Sequence, residues 1–167
     1  MMRKVVYSIL VLVATLATLT GCKKQDWLDW KLQNELWMAQ NLKQEYIVND
    51  SAYIVQQSQS GLQYCIIADP NPTDARPMTN NTVYCDYEGK LINGAVFDRG
   101  SYAALGVSSV VSGFAEGIKK IHTNGDIVLF IPYDLGYKET GAGAEGGSSF
   151  IPPYSTLIFT IHLCAVD

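Results

Sequence analysis

The sequence predicts an α+β fold: an antiparallel sheet of five to six strands wrapped around one short helix, with an N-terminal helical extension. Three observations carry this. Short β-rich runs bounded by Gly, Pro and Asn fill the chain from Gly61 to its end. Only one segment among them, Val110 to Ile121, has helical spacing. Strands that outnumber the helices between them form an antiparallel sheet with the helix packed on one face.

Taken in order, the helical extension comes first. Over residues 26–46, apolar side chains recur at Leu28, Leu32, Leu36, Ala39 and Leu42, at spacings of three and four. That spacing makes one stripe on a helix, which Trp27, Trp30 and Trp37 widen. The stripe is expected to pack on the domain behind it; the alternative is a pairing surface for a homodimer through residues 26–46. Residues 47–60 are polar and mixed and read as a second short helix or a linker. Leu62–Ile67 reads as a strand, Asp69–Asn81 with its Pro and Asn residues as a loop. Thr82–Leu91 and Ala95–Asp98 read as a hairpin turned at Asn93-Gly94. Asp126–Pro132 and Ser155–Leu163 supply the remaining strands.

The chain has 167 residues, 12 of them Lys or Arg and 16 Asp or Glu, for a net charge of −4. A single domain fits this length. An acidic chain without a basic stripe excludes nucleic acid as partner.

Ahead of the helix, Arg3 and Lys4 precede an apolar run from Val5 to Leu19, followed by Thr20-Gly21-Cys22. A positive start, a short apolar core and small residues before a cut define a secretory signal. The run is shorter than the roughly 20 residues of a spanning helix, although an uncleaved anchor is the alternative. Leu19-Thr20-Gly21-Cys22 resembles the lipobox of bacterial lipoproteins. The resemblance implies cleavage after a signal peptide over residues 1–21 and a lipid on Cys22. Residues 22–59 then form a lipidated tether and helical extension. The protein would be lipid-anchored in the cell envelope. Lys23 directs it, by analogy with known sorting rules, to the outer membrane, facing periplasm or surface. Setting Cys22 aside leaves Cys65, Cys85 and Cys164, an odd number in apolar strand-like runs. Buried thiols acting as small hydrophobes are expected there, while export also permits a disulfide.

Some chemical signals are false. Gly141-Ala142-Gly143-Ala144-Glu145-Gly146 spells GxGxxG, a nucleotide motif only when a strand precedes it and a helix follows. Here Pro152-Pro153 follows, and a surface loop is expected. His122 and His162 have no Cys or carboxylate at metal-ligand spacing. No metal and no cofactor are expected.

One constellation holds together. Tyr87-x-Gly89-x-Leu91-x-x-Gly94-x-x-Phe97-Asp98 is followed by Val110-Val111-x-Gly113-x-x-Glu116-Gly117, then Ile131-Pro132-x-x-Leu135-x-Tyr137, then Ile151-Pro152-Pro153-x-x-Thr156-Leu157-x-Phe159. In this order and spacing the motifs resemble the FKBP family of peptidyl-prolyl cis–trans isomerases, over residues 60–167. The resemblance implies an FKBP-like isomerase domain acting on proline-containing polypeptides. It implies Tyr87, Phe97, Asp98 and Tyr137 as catalytic residues. Val110, Val111, Phe114, Ile151 and Phe159 would bind substrate, the backbone N–H of Val111 taking a substrate carbonyl. The implied chemistry needs no nucleophile. Rotation about an X–Pro bond passes through a twisted amide over a barrier of roughly 18–20 kcal/mol. An apolar pocket favours that less polar state over the planar one.

Three departures from the family pattern stand out: Phe114 in place of a larger aromatic, often Trp, at the pocket floor; Lys138 in place of the Gly after Tyr137; and a stretch from Asp98 to Val110 several residues shorter than usual. Tyr102 is the residue expected to rebuild the missing wall. A folding chaperone or peptide-binding module with weak isomerase activity is the rival reading, and a glycan-binding surface on Trp27, Trp30 and Trp37 a third.

Overall fold

The computed structural model describes residues 22–167, with side chains from Trp27 onward. The signal peptide expected over residues 1–21 and the expected lipid site, the side chain of Cys22, lie outside the described residues. Helix α1 (Cys22–Asn41) leads into a hairpin of β1 (Glu45–Val48) and β2 (Ser51–Ile54). A six-stranded sheet follows, built from β3 (Gln56–Gln57), β4 (Gln63–Ala68), β5 (Thr82–Lys90), β6 (Val96–Gly106), β7 (Asp126–Ile131) and β8 (Leu157–Val166). Its order is β3-β4-β7-β8-β5-β6, antiparallel at every pairing. Helix α2 (Ser112–Ile118) crosses the inner face.

The α+β expectation holds, with six strands in the main sheet and two more in the hairpin. The hairpin replaces the second helix or linker expected over residues 47–60. Asn49 and Asp50 both take positive φ, 47° and 61°, the pattern of a type I′ turn whose twist matches the strands it joins. Tyr46 and Tyr53 sit opposite each other in register, and both pack against the outer core.

Strand β7 is the spine of the sheet. Ile127, Leu129 and Ile131 face the inner core, Val128 and Phe130 the outer one, and all five are buried. A run apolar at every position suits a central strand covered on both sides. Gly113 and Gly117 let α2 lie directly on it. A Cβ at Gly113 would stand 2.4 Å from Ile131, and one at Gly117 2.3 Å from Leu129.

Helix α1 covers the outer face with a different stripe from the one its leucines predict. Leu28, Leu32, Leu36, Ala39 and Leu42 are exposed. Trp27, Trp30, Asn34, Trp37, Met38 and Asn41 face the domain, again at spacings of three and four. Trp37 tilts against Phe130 at 5.8 Å, and Trp30 Nε1 donates to Ser155 Oγ at 3.0 Å. Asn34 is 1% exposed; its Oδ1 accepts the Thr156 N–H at 2.7 Å. Gln63, also buried, donates to the Met38 carbonyl and accepts from Asn41. The packing on the domain is therefore real, but polar groups organise it. Half-buried and engaged in this way, the tryptophans offer no free platform for a glycan.

The three described cysteines form no disulfide; burial pushes the thiols of Cys65 and Cys85 up to about 11 and about 12. His162 lies in β8 with Nδ1 2.9 Å from Asp126, and His122 in a turn against Asp69.

Candidate active site

The inner face opens into a cavity of about 190 Å³ where β5, β6, β8 and α2 meet. Water occupies about 30 Å³ per molecule in the liquid, so this space suits one small ring rather than an extended chain. Tyr87, Asp98, Leu105, Ser109, Val110, Val111, Phe114, Tyr137 and Phe159 line it. Seven of the nine site residues expected from sequence are thus on its wall. The other two stand in the surrounding core: Phe97 packs edge-on to Phe159 with centroids 5.4 Å apart, and Ile151 is buried in the same cluster.

The floor is aromatic. Phe114 and Phe159 meet at 5.2 Å and 86°, and Tyr87 approaches Phe114 at 6.4 Å and 80°. Edge-to-face contacts of this kind set ring orientation as well as burying area. Phe114 reaches the cavity from α2, close to the sheet because of the glycine contacts with β7.

The polar groups are few and placed. Tyr87 donates its hydroxyl to Asp98 Oδ2 at 2.9 Å, and the Arg99 N–H donates to Asp98 Oδ1 at 2.9 Å. Both carboxylate oxygens are therefore held. Burial, then the bond to Asp98, pushes the Tyr87 hydroxyl up to about 12. Burial and the Asp98 charge also raise Tyr137. Both phenols stay protonated donors at neutral pH. Val111 caps α2 at φ −59°, ψ 147°, and its carbonyl accepts from Ala115. Its N–H has no acceptor among the described residues, and Val111 lines the cavity.

Two residues escaped the sequence reading, Leu105 and Ser109. The shortened stretch after Asp98 does not form a separate lobe; it continues as edge strand β6. Ser101 and Tyr102 together oppose Asp86, a β-bulge whose N–H at Tyr102 and hydroxyl at Ser101 both donate to Asp86 Oδ1. Beyond the bulge, Ala103 pairs with Cys85 and Leu105 with Val83, so Leu105 shares the inner face. Tyr102 is turned to the other side, 62% exposed and stacked on Tyr84 at 5.2 Å. It does not close the wall; Leu105 does. The one-residue phase change at the bulge was the missing signal.

Lys138, the departure from Gly, takes φ +58°. Glycine enters that region without cost and lysine does not. The loop over Gly141–Gly146 runs at the surface with no helix after it, as expected.

Known proteins resemble this chain in sequence and fold. Residues 73–164 match the family model for FKBP-type peptidyl-prolyl cis-trans isomerase, over half of the chain. The chain belongs to that family. It is 37% identical over 116 residues to an FKBP-type 22 kDa peptidyl-prolyl cis-trans isomerase of Escherichia coli K12, covering 67% of this chain and 53% of the relative. It is 40% identical over 111 residues to the outer membrane protein MIP of Legionella longbeachae, covering 64% of this chain and 45% of that one. The crystal structure of FkpA from Escherichia coli superposes with TM-score 0.75 at 26% identity, over 99% of this chain and 72% of that one. The chain spans about half the length of the curated FKBP relatives it matches.

Proposed function

We propose that this FKBP-family chain is a peptidyl-prolyl cis–trans isomerase that accelerates X–Pro isomerisation in exported proteins. The uncatalysed step takes tens to hundreds of seconds and limits folding. The observation that carries the reading is the cavity itself: a small aromatic hollow with a held carboxylate, two protonated phenols and an unengaged N–H at Val111. A prolyl ring enters between Tyr87, Val110, Phe114 and Phe159. The Val111 N–H takes a substrate carbonyl. As the amide twists it loses resonance and carbonyl polarity, so the dry wall favours it over the planar ground state. Tyr137 and Asp98 hold the flanking backbone. Phe97 and Ile151 act here by keeping Phe159 and the cavity wall in place.

A proline-peptide isomerisation assay tests this. Wild type should exceed buffer, and Tyr137→Phe should lower kcat/KM by about fivefold to tenfold, the worth of one hydrogen bond. Asp98→Ala should cost more, since it also releases Tyr87. A wild type no faster than buffer, or variants that change nothing, would sink the isomerase reading.

The envelope address belongs to the same proposal: signal peptide over residues 1–21, lipid on Cys22, tether and helical extension over 22–59, isomerase domain over 60–167, and the outer membrane as destination. Two or three acyl chains hold a protein far better than one. Loss of radiolabelled palmitate and of membrane association in Cys22→Ser is the check.

The exposed leucines favour a second reading alongside. Leu28, Leu32 and Leu36 form an apolar stripe on α1 with no cover from the domain, Leu42 continues it just past the helix end, and Ile47 and Ile54 on the adjoining hairpin are also exposed. We assign this stripe to a homodimer through residues 26–46, with a chaperone surface as the alternative use. Leu32→Glu with Leu36→Glu spares the packed face of α1; sedimentation should show a monomer where wild type is a dimer. If both sediment alike, the stripe does not pair copies, and suppression of aggregation by wild type alone would assign it to chaperone binding.

A further inference from the structure

Lys138 occupies a left-handed position, and so does Tyr154 at φ +62°. Neither is glycine, so the surrounding structure must hold both. The two are tied to each other: the Lys138 N–H donates to the Tyr133 carbonyl and the Tyr154 N–H donates to the Lys138 carbonyl, each at 2.9 Å. This stitched corner joins the 3-10 turn Tyr133–Leu135 to the turn after Ile151-Pro152-Pro153. Tyr137, on the cavity wall, is the residue directly before Lys138.

The corner is gripped from outside by α1. The Tyr133 and Tyr154 rings meet edge-on at 5.4 Å. The Lys31 ammonium lies over both, 5.5 Å and 5.1 Å from their centroids. An ammonium at this range is attracted by each ring face. One turn further along, Asn34 accepts from Thr156; just before Lys31, Trp30 donates to Ser155, whose hydroxyl donates to the Pro152 carbonyl. Contacts from Trp30, Lys31 and Asn34 thus converge on the segments next to two pocket residues, Tyr137 and Phe159.

We propose that Lys31 is a positioning residue of the active site: it clamps Tyr133 to Tyr154, holds the strained corner at Lys138, and so sets Tyr137 over the cavity. The tether helix is then part of the catalytic unit as well as a spacer. The proposal rests on the isomerase reading for its kinetic consequence, and on Tyr137's position alone for its structural one.

Lys31→Met keeps the length of the side chain and removes the cation; Lys31→Arg keeps the cation. The full chain is assayed with proline peptides, and the Tyr137 ring is followed by NMR with 13C-labelled tyrosine. Lys31→Met should lower kcat/KM on the order of threefold, mostly in kcat, and move the Tyr137 resonance. Lys31→Arg should restore both. Tyr154→Leu should do the same damage, and adding Lys31→Met to it should cost nothing more, since the residues act as one unit. An active wild type with unchanged rate and resonance in Lys31→Met overturns the proposal and leaves Lys31 as the 3.8 Å partner of Glu35. An inactive wild type whose Tyr137 still moves in Lys31→Met but not in Lys31→Arg overturns the isomerase reading and keeps the clamp.

Discussion

On the inner face of the sheet, helix α2 rests against bare aliphatic groups, Leu129 and Ile131, through two glycines. On the outer face, helix α1 is pinned by Asn34, Gln63 and Trp30 as much as by Trp37 and Met38. The inner contact is dry and close and leaves one cavity beside it. The outer contact trades some apolar burial for directed hydrogen bonds. Hydrophobic packing alone tolerates sliding of one surface on another, whereas a buried hydrogen bond has one good geometry. An extension whose far side carries exposed leucines needs such an anchor to present the correct stripe to the domain.

The sharpest way to break this comparison is to remove the ring on which the outer layer packs. Phe130 lies in the central strand between Trp37 and Tyr46 and is fully buried. Phe130→Ala should cost about 4 kcal/mol by urea unfolding. A loss near that of an exposed site would mean that the outer layer is loosely attached. Next in size is Asn34→Ala, which leaves the buried Thr156 N–H without its acceptor. It should cost about 2 kcal/mol and increase protease cleavage after α1 ahead of global unfolding.

The inner face is probed by pH. The Tyr87 hydroxyl sits at about 12 in the fold, above the ordinary value near 10. Its contribution is complete below about 10 and is lost as pH rises from there through about 12, because the unfolded chain ionises first. Tyr137 shifts in the same direction. Stability should therefore fall across that alkaline window, and Tyr87→Phe should flatten the fall. The smallest contrast concerns β6. Leu105→Ala should lower kcat/KM about threefold by opening the cavity wall, while Tyr102→Ala leaves it unchanged. Equal effects would put Tyr102 back into the wall.

The sequence made the inner half of the molecule legible. Alternation in β5 and β8, helical spacing in α2 and an unbroken apolar run in β7 locate these elements within a few residues, because each is a local pattern. Of the nine residues that the family motifs imply for the pocket, Tyr87, Asp98, Val110, Val111, Phe114, Tyr137 and Phe159 line one cavity, and Phe97 and Ile151 stand behind it. The outer half was less legible. Asn49-Asp50 is a weaker hairpin signal than Asn-Gly. The leucines of α1 outweigh its asparagines on any hydrophobicity count, yet Asn34 is the residue that is buried.

By itself, then, the sequence determined the core of the sheet, the crossing helix and seven of the residues on the pocket wall, since these follow from local period and from side chains kept at matching motif positions. Three matters were decided only in three dimensions. A bulge at Ser101–Tyr102 reversed which of Tyr102 and Leu105 faces the cavity. Partners more than a hundred residues away, Ser155 and Thr156, chose the buried stripe of α1. A lysine on that helix came to lie over two rings beside Tyr137. Each depends on what a side chain meets across the fold, and a polar group's partner is not encoded in its own neighbourhood.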